Sequence, residues 1–456
     1  VSHVDACSAA PSSVLHRNPR GSLRVGQRGC RHAPQSRVSH VISGERPTMN
    51  TAPDGDASHQ QRSPDEQEGN RRTHRGLLAA GSLAIVVTAA ALVLVNRDNS
   101  DGSNAAGRSV TAASSHRGMV EGTVWIANEG GGSLTAIDAA TNQVTTTVSG
   151  VEGPHNVQVS ADGASVWTVS GHDGYAAMVT ADSLDLHGVV RTGAAPAHVV
   201  VSPDGATAYT TNGADDTVTV IDTATMKPVG TIKVGRGPHG LRPSPDGRWL
   251  VVANVADTTL SVIDTRTNRL VTDVDVGKAP AQVAFSPDGR FVYASLNGED
   301  AVAKVDIATR RLVDTVAVGD GPIQTYVSPD NRYLLVANQG TEDAPGTTVS
   351  VLDTKTFAVI ETVETGQGAH GIVVDPSSRH AYVTNIYGDD VAVLDLEELE
   401  VVARIPVGDK PNGVSFSSVT TGDGRETLTL EVPDSAGMSH DDMEDGHDDE
   451  GHDGGH

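Results

Sequence analysis

Residues Arg248–Gly289 read RWLVVANVADTTLSVIDTRTNRLVTDVDVGKAPAQVAFSPDG. Four short runs of β-branched and small apolar residues stand out in this stretch: Trp249–Ala253, Leu260–Ile263, Leu270–Val276 and Gln282–Ser286. They are closed in turn by Asn254, by Asp264 and the turn that ends at Asn268, by Gly277, and by Pro287-Asp288-Gly289. Pro presets φ for a turn, Asp bonds its own backbone, and Gly accepts a φ that side chains resist. Four strands in 42 residues is the size of one propeller blade.

Working outward from this unit, the same pattern recurs over seven segments: 120–163, 164–205, 206–247, 248–289, 290–331, 332–378 and 379–420. The sixth is lengthened by TEDAPGT between its first two strands, and the second is the most diverged, with GHDGYAAMVTADS in place of a T-V-x-V-x-D pattern. The first unit opens on Thr123–Ala127 and the last ends on Asn412–Ser417, so each unit straddles two blades. Pairing these two end strands closes a ring and removes the free sheet edges that invite aggregation. The expected fold is all-β, a seven-bladed propeller over 119–433, with Thr427–Val432 as an unplaced further strand.

Composition agrees with that architecture. The chain has 456 residues, 20% charged and only 3% aromatic, and its 49 glycines suit many tight turns. The formal net charge of −25 argues against a nucleic-acid partner, whose phosphates call for a basic face. Both cysteines, Cys7 and Cys30, fall in a segment 1–48 rich in Arg, Ser, Pro and His without apolar periodicity. Met49 opens an ordinary polar N-terminus and is expected to be the true start, which would leave no cysteine and no disulfide.

Residues 1–76 read as a disordered cytoplasmic segment that ends in Arg71, Arg72 and Arg75. Leu77–Val95 follows without a charge, and its 19 residues just span a hydrocarbon core of about 30 Å. Arginines before the run and Asp98 and Asp101 after it place the N-terminus in the cytoplasm. The run is long for the apolar h-region of a signal peptide and no A-x-A site follows directly, so a single-pass, uncleaved membrane anchor is expected. The Ser-, Asn- and Gly-rich stretch 96–118 reads as a flexible linker to an extracytoplasmic propeller.

The segments AYVTNIYGDDVAVLDL at 381–396, AYTTNGADDTVTVIDTAT at 208–225 and LVVANVADTTLSVIDTRT at 250–267 resemble the YVTN β-propeller repeat family of extracytoplasmic bacterial and archaeal proteins. The resemblance covers about 120–420 and implies a seven-bladed propeller. It implies little about activity, because one fold hosts many functions.

Propellers bind ligands where the loops enter the innermost strands. Those turns carry Pro154-His155-Asn156, Pro196-Ala197-His198, Pro238-His239-Gly240, Pro280-Ala281-Gln282, Pro322-Ile323-Gln324, Ala369-His370-Gly371 and Pro411-Asn412-Gly413. His155, His198, His239, Gln282, Gln324, His370 and Asn412 are therefore the candidate ligand-binding residues. Four imidazoles suit Zn, Cu, Fe or Ni. The alternative is a simply polar channel mouth: His198 sits one residue later than the other three, and strand side chains alternate in direction, which argues against convergence.

The tail Asp434–His456 carries His440, His447, His452 and His456 with Met438 and Met443, many acids and no Lys or Arg. It reads either as a disordered, exchangeable collector of Cu, Zn or Ni or as a solvating acidic tail. No fixed four-ligand spacing of a structural zinc site is present. Asp138, Asp222, Asp264, Asp306, Asp353 and Asp395, and the turn residues Asp162, Asp204, Asp246, Asp288 and Asp330, are expected to cap backbone rather than form a carboxylate cluster. No G-x-S-x-G, Cys–His pair or H-E-x-x-H is found. Three readings remain: a membrane-anchored binding or scaffold module handling metal ions or an envelope partner, a propeller lyase or hydrolase using Glu129 and His172, and a structural cell-envelope protein.

Overall fold

The computed structural model describes residues 120–421 and 427–432. The expected cytoplasmic segment, apolar run 77–95, linker 96–118 and tail 434–456 lie outside them. No helix among the described residues is long and apolar enough to cross a membrane.

The described chain forms seven sheets, six antiparallel ones of four strands and one of five in which the outermost strand is parallel to its neighbour. Six sheets are built from consecutive strands, so each is a meander joined by short turns. The seventh joins the two ends: Pro411–Ser417 pairs antiparallel with Thr123–Asn128, with Thr123 opposite Ser417 and Ile126 opposite Val414. Counting this sheet as blade 1, blades 2 to 7 follow in chain order. The innermost strands are Pro411–Ser417, Pro154–Val159, Pro196–Val201, Pro238–Pro243, Pro280–Phe285, Pro322–Val327 and Ala369–Val374, and each neighbours the next around the ring. This is a closed seven-bladed propeller. The diverged second unit still supplies the strands Ser165–Ser170 and Tyr175–Thr180. The insertion in the sixth lengthens one hairpin into Tyr333–Gly340 and Pro345–Asp353. Thr427–Thr429 is the extra strand, added in parallel to Thr147–Ser149 at the outer edge of blade 1.

Strand alternation decides where the core lies. Trp125 and Leu134 of blade 1 face blade 2, where they pack with Val157, Val166 and Tyr175. Val124, Ile126 and Ile137 face the other way and pack with Tyr382, Val391 and Val393 of blade 7. Each of the seven apolar clusters among the described residues is shared by two adjacent blades in this manner. No blade owns a core.

The repeat's polar letters are structural. The Asn that ends the second strand is buried and its Nδ2 donates to two hydroxyls of the next strand: Asn212 to Thr217 and Thr219 at 2.9 Å, Asn254 to Thr259 and Ser261 at 3.0 Å. The glycine that leads into the innermost strand of the same blade lies on that amide. A Cβ on Gly235 would sit 2.4 Å from Asn254, which is why a side chain does not fit there. Asp138 accepts from the amide and hydroxyl of Thr141, and Asp222, Asp306 and Asp353 repeat this with Thr225, Thr309 and Thr356. Asp264 takes Arg266 instead, and Asp395 takes the amides of Glu397 and Glu398. Asp162, Asp204, Asp246, Asp288 and Asp330 each accept from the serine two residues earlier at 2.5–2.6 Å. All eleven aspartates do backbone and turn work, as expected.

Candidate functional site

The loop into each innermost strand turns sharply just before the strand begins. The residue ahead of the first strand position has positive φ in every blade: Gly153, Ala195, Gly237, Ala279, Gly321, Gly368 and Lys410. The pairing register then shifts within the first residues of the strand. The irregularity lies between Pro154 and Asn156, Pro196 and Val199, Pro238 and Leu241, and at equivalent places in the other blades. A bulge re-aims side chains that strict alternation would send to opposite faces.

This corrects the objection to convergence. His198, one residue out of register, joins His155 and His239, and their ligand atoms all lie within 4.8 Å of one another. The ring centroids are 4.8 Å apart for His198 and His239, 5.4 Å for His155 and His239, and 5.9 Å for His155 and His198. His370 stays apart from this trio, its Nδ1 set 3.2 Å from the Asn412 carbonyl. Gly240 makes room at the centre, since a Cβ there would meet Gln282 Oε1 at 2.3 Å and the Ala281 carbonyl at 2.6 Å.

Glu129, expected near this ring as a partner of His172, is instead bonded to His155 and Asn412. It lies just after the second strand of blade 1, and its Oε1 is 3.2 Å from His155 Nδ1. Asn412 Nδ2 donates to its Oε2 at 2.8 Å and also comes within 3.1 Å of His155 Nδ1. The charge-assisted bond to the carboxylate is the stronger of the two claims on that nitrogen. It places the His155 proton on Nδ1. His239 Nδ1 lies 3.0 Å from the Ala281 carbonyl and likewise carries its proton there. Both rings therefore turn bare Nε2 atoms toward one another, at 3.3 Å. Two lone pairs at that distance call for a proton or a cation between them.

Three of the predicted site residues also hold a buried polar atom without a protein partner: His198 Nε2, Gln324 Nε2 and Asn412 Oδ1. His198 is fully buried, and its Nδ1 is 3.4 Å from Gln282 Nε2. Burial, reinforced by neighbouring imidazoles, holds His198 well below the usual histidine range and His239 at about 4. Burial and the charges of His155 and His239 bring His370 to about 3. Burial pushes the Glu129 carboxyl up, but the hydrogen bonds and charge of its partners win and leave it at about 2. At neutral pH the mouth therefore presents an ionised carboxylate and neutral imidazoles on His198, His239 and His370, the protonation state a metal requires of its ligands. A cavity of about 330 Å³ adjoins the cluster, lined by Glu129, His155, His172, Pro196, Pro238 and His239 among others. His172 and Glu129 thus share one cavity, but the Glu129 carboxylate is taken by His155 and Asn412.

The comparisons agree with this architecture. Residues 165–430, more than half of the chain, match the model of the YNCE-like beta-propeller family, and the chain belongs to that family. The likeness to YVTN repeats is thereby shown at the level of a propeller family. No curated protein matches the chain. Among solved structures, Kuenenia stuttgartiensis hydrazine synthase is similar at 25% identity and a TM-score of 0.54, over 59% of this chain and 90% of that one. A protein of unknown function from Desulfotomaculum acetoxidans matches at 14% identity and a TM-score of 0.59, over 65% of this chain and 99% of its own. Dihydro-heme d1 dehydrogenase NirN, at 15% identity and a TM-score of 0.50, covers 65% and 76% respectively. The last two speak to the fold alone.

Proposed function

We propose that this propeller is a binding module that holds one transition-metal ion at its channel mouth through His155, His198 and His239. The observation that carries the reading is the pair of facing Nε2 atoms, each bared by a partner on the opposite nitrogen of its ring. A carboxylate or carbonyl behind a ligating imidazole is the usual means of fixing its tautomer and orientation. His198 Nε2, buried and unpartnered, supplies the third donor once its proton moves to Nδ1 and the Gln282 amide, whose Nε2 now faces that nitrogen, turns its oxygen there to accept it. Three imidazoles with an open fourth position suit Zn, Cu or Ni. The adjoining cavity leaves that position accessible to a small ligand.

The same reading takes the apolar run 77–95 as a membrane anchor that sets the propeller outside the cell. The tail residues His440, His447, His452 and His456, with Met438 and Met443, then form an exchangeable collector that supplies the mouth. The test uses the full chain with the four tail histidines changed to alanine, equilibrated with Cu, Zn or Ni and analysed for bound metal. One ion per chain is expected. His155→Ala and His239→Ala abolish stoichiometric retention, and Glu129→Gln weakens it by about 10–100-fold, the usual cost of losing the group behind a ligand. Metal that disappears with the tail histidines, or that survives His155→Ala undiminished, would refute the site.

A further inference from the structure

Four residues further on from the first position of each innermost strand, the channel is lined by a second set of side chains. Gln158, Arg242, Tyr326 and Ser415 share this register in blades 2, 4, 6 and 1. At about 3.3 Å per residue they lie about 10 Å along the channel from the imidazoles. They surround a separate cavity of about 430 Å³, within the range of small-molecule sites. Its remaining walls are apolar, with Val200, Val373 and Phe416 among them.

Arg242 sets the chemistry there. The residue as a whole is half-buried, and its hydrogen bond is to the carbonyl of its own neighbour, Leu241, at 3.2 Å. Among the described residues it has no carboxylate partner, in a chain that carries 58 acidic residues. Burial holds it below the usual arginine range, and burial pushes the facing Tyr326 hydroxyl up, so that Tyr326 stays a neutral donor. Gln158 bonds only the adjacent Val159 carbonyl through Nε2, and Ser415 accepts from the Val159 amide, which leaves its hydroxyl proton to donate. A desolvated cation without a counter-charge is costly. Here it faces an open cavity together with neutral donors, and apolar walls stand behind it.

We propose that this end of the channel binds a small organic carboxylate, its head group on Arg242 and Tyr326 and its apolar body against Val200, Val373 and Phe416. The planar guanidinium fork matches a carboxylate in a way that an ammonium does not. The net negative charge of the molecule repels anions in general, so binding here would report a built site rather than diffuse attraction. The site stands independently of the metal reading at the opposite mouth.

The test follows 4-fluorobenzoate by fluorine NMR against the full chain. Saturable binding with a Kd on the order of 1 mM is expected, the strength that one charge-assisted contact and a small buried body allow. Arg242→Gln weakens it by at least about tenfold, the scale of a lost hydrogen bond to a charged group. Arg242→Lys is intermediate, and the melting temperature and metal content of both variants match the parent. Neutral 4-fluorobenzamide and inorganic phosphate compete poorly. Absence of saturable binding, equal binding by Arg242→Gln, or equal competition by the benzamide or by phosphate would each overturn the proposal.

Discussion

His370 shares a register with His155 and His239 but does a different job, and the difference is measurable. Its ring is buried, its Nδ1 donates to the Asn412 carbonyl, and its affinity for a second proton is pushed down to about 3. An unfolded histidine takes up a proton near pH 6.5. Between pH 6.5 and about 3 the unfolded chain therefore binds a proton that folded His370 refuses, and stability falls as pH falls, by up to about 1.4 kcal/mol per pH unit for this one group. Asparagine at position 370 retains a donor for the Asn412 carbonyl and has nothing to titrate. In urea unfolding with a chelator present, His370→Asn is expected to flatten the decline in stability between pH 6.5 and 4.5. Parallel declines in parent and variant would show that folded His370 titrates normally. At this scale the sequence was partly legible. The four imidazoles could be found from their shared turn. The convergence of three of them could not, because a bulge at the start of each innermost strand breaks the alternation on which the objection rested. Glu129 was legible as a loop carboxylate near the His ring but was paired with His172 rather than His155, and Arg242 looked like an ordinary residue, since only closure of the ring brings them to the channel.

At the scale of elements, turn chemistry made nearly every strand legible, and the end-to-end pairing followed from counting strands. The strand at Thr427–Thr429 was legible as a run but its place was not, because no repeat unit prescribes a fifth strand. What holds it is local and specific. The Leu430 amide donates to the Ser149 carbonyl at 2.8 Å, and its side chain is buried with Val148 and Val151 in the cluster between blades 1 and 2. Gly150 lets this chain pass closely, as a Cβ there would meet the Leu430 carbonyl at 2.2 Å. The strand thus covers an outer edge that would otherwise stand open beside the closure. Leu430→Ala is expected to cost about 2–3 kcal/mol in urea unfolding, the lower part of the range for a buried leucine. The neighbouring exposed Glu431→Ala should stay within about 0.5 kcal/mol. Equal effects of the two would mean that the fifth strand contributes nothing to the ring.

The whole molecule behaves as its packing requires. Every apolar cluster among the described residues is divided between two blades, and the propeller strands Thr123–Asn128 and Pro411–Ser417 are paired within one sheet, so losing any blade exposes half of the core of each neighbour. A linear repeat array can fray from its ends, but a closed ring has none. Unfolding is therefore expected to be a single cooperative transition despite the length of the propeller. The three tryptophans provide the test. Trp125 lies in blade 1, Trp167 in blade 2 and Trp249 in blade 4. With Trp249 changed to Phe, fluorescence reports only on blades 1 and 2, whereas circular dichroism reports on all strands. Leu260→Ala then places a cavity between blades 4 and 5, across the ring from both reporters, at a cost of about 2–5 kcal/mol. If the ring acts as one unit, the fluorescence and dichroism midpoints shift together and stay coincident. If dichroism is lost first while Trp125 and Trp167 hold their native emission, the blades unfold separately and the closing pair Thr123–Asn128 and Pro411–Ser417 does not couple them.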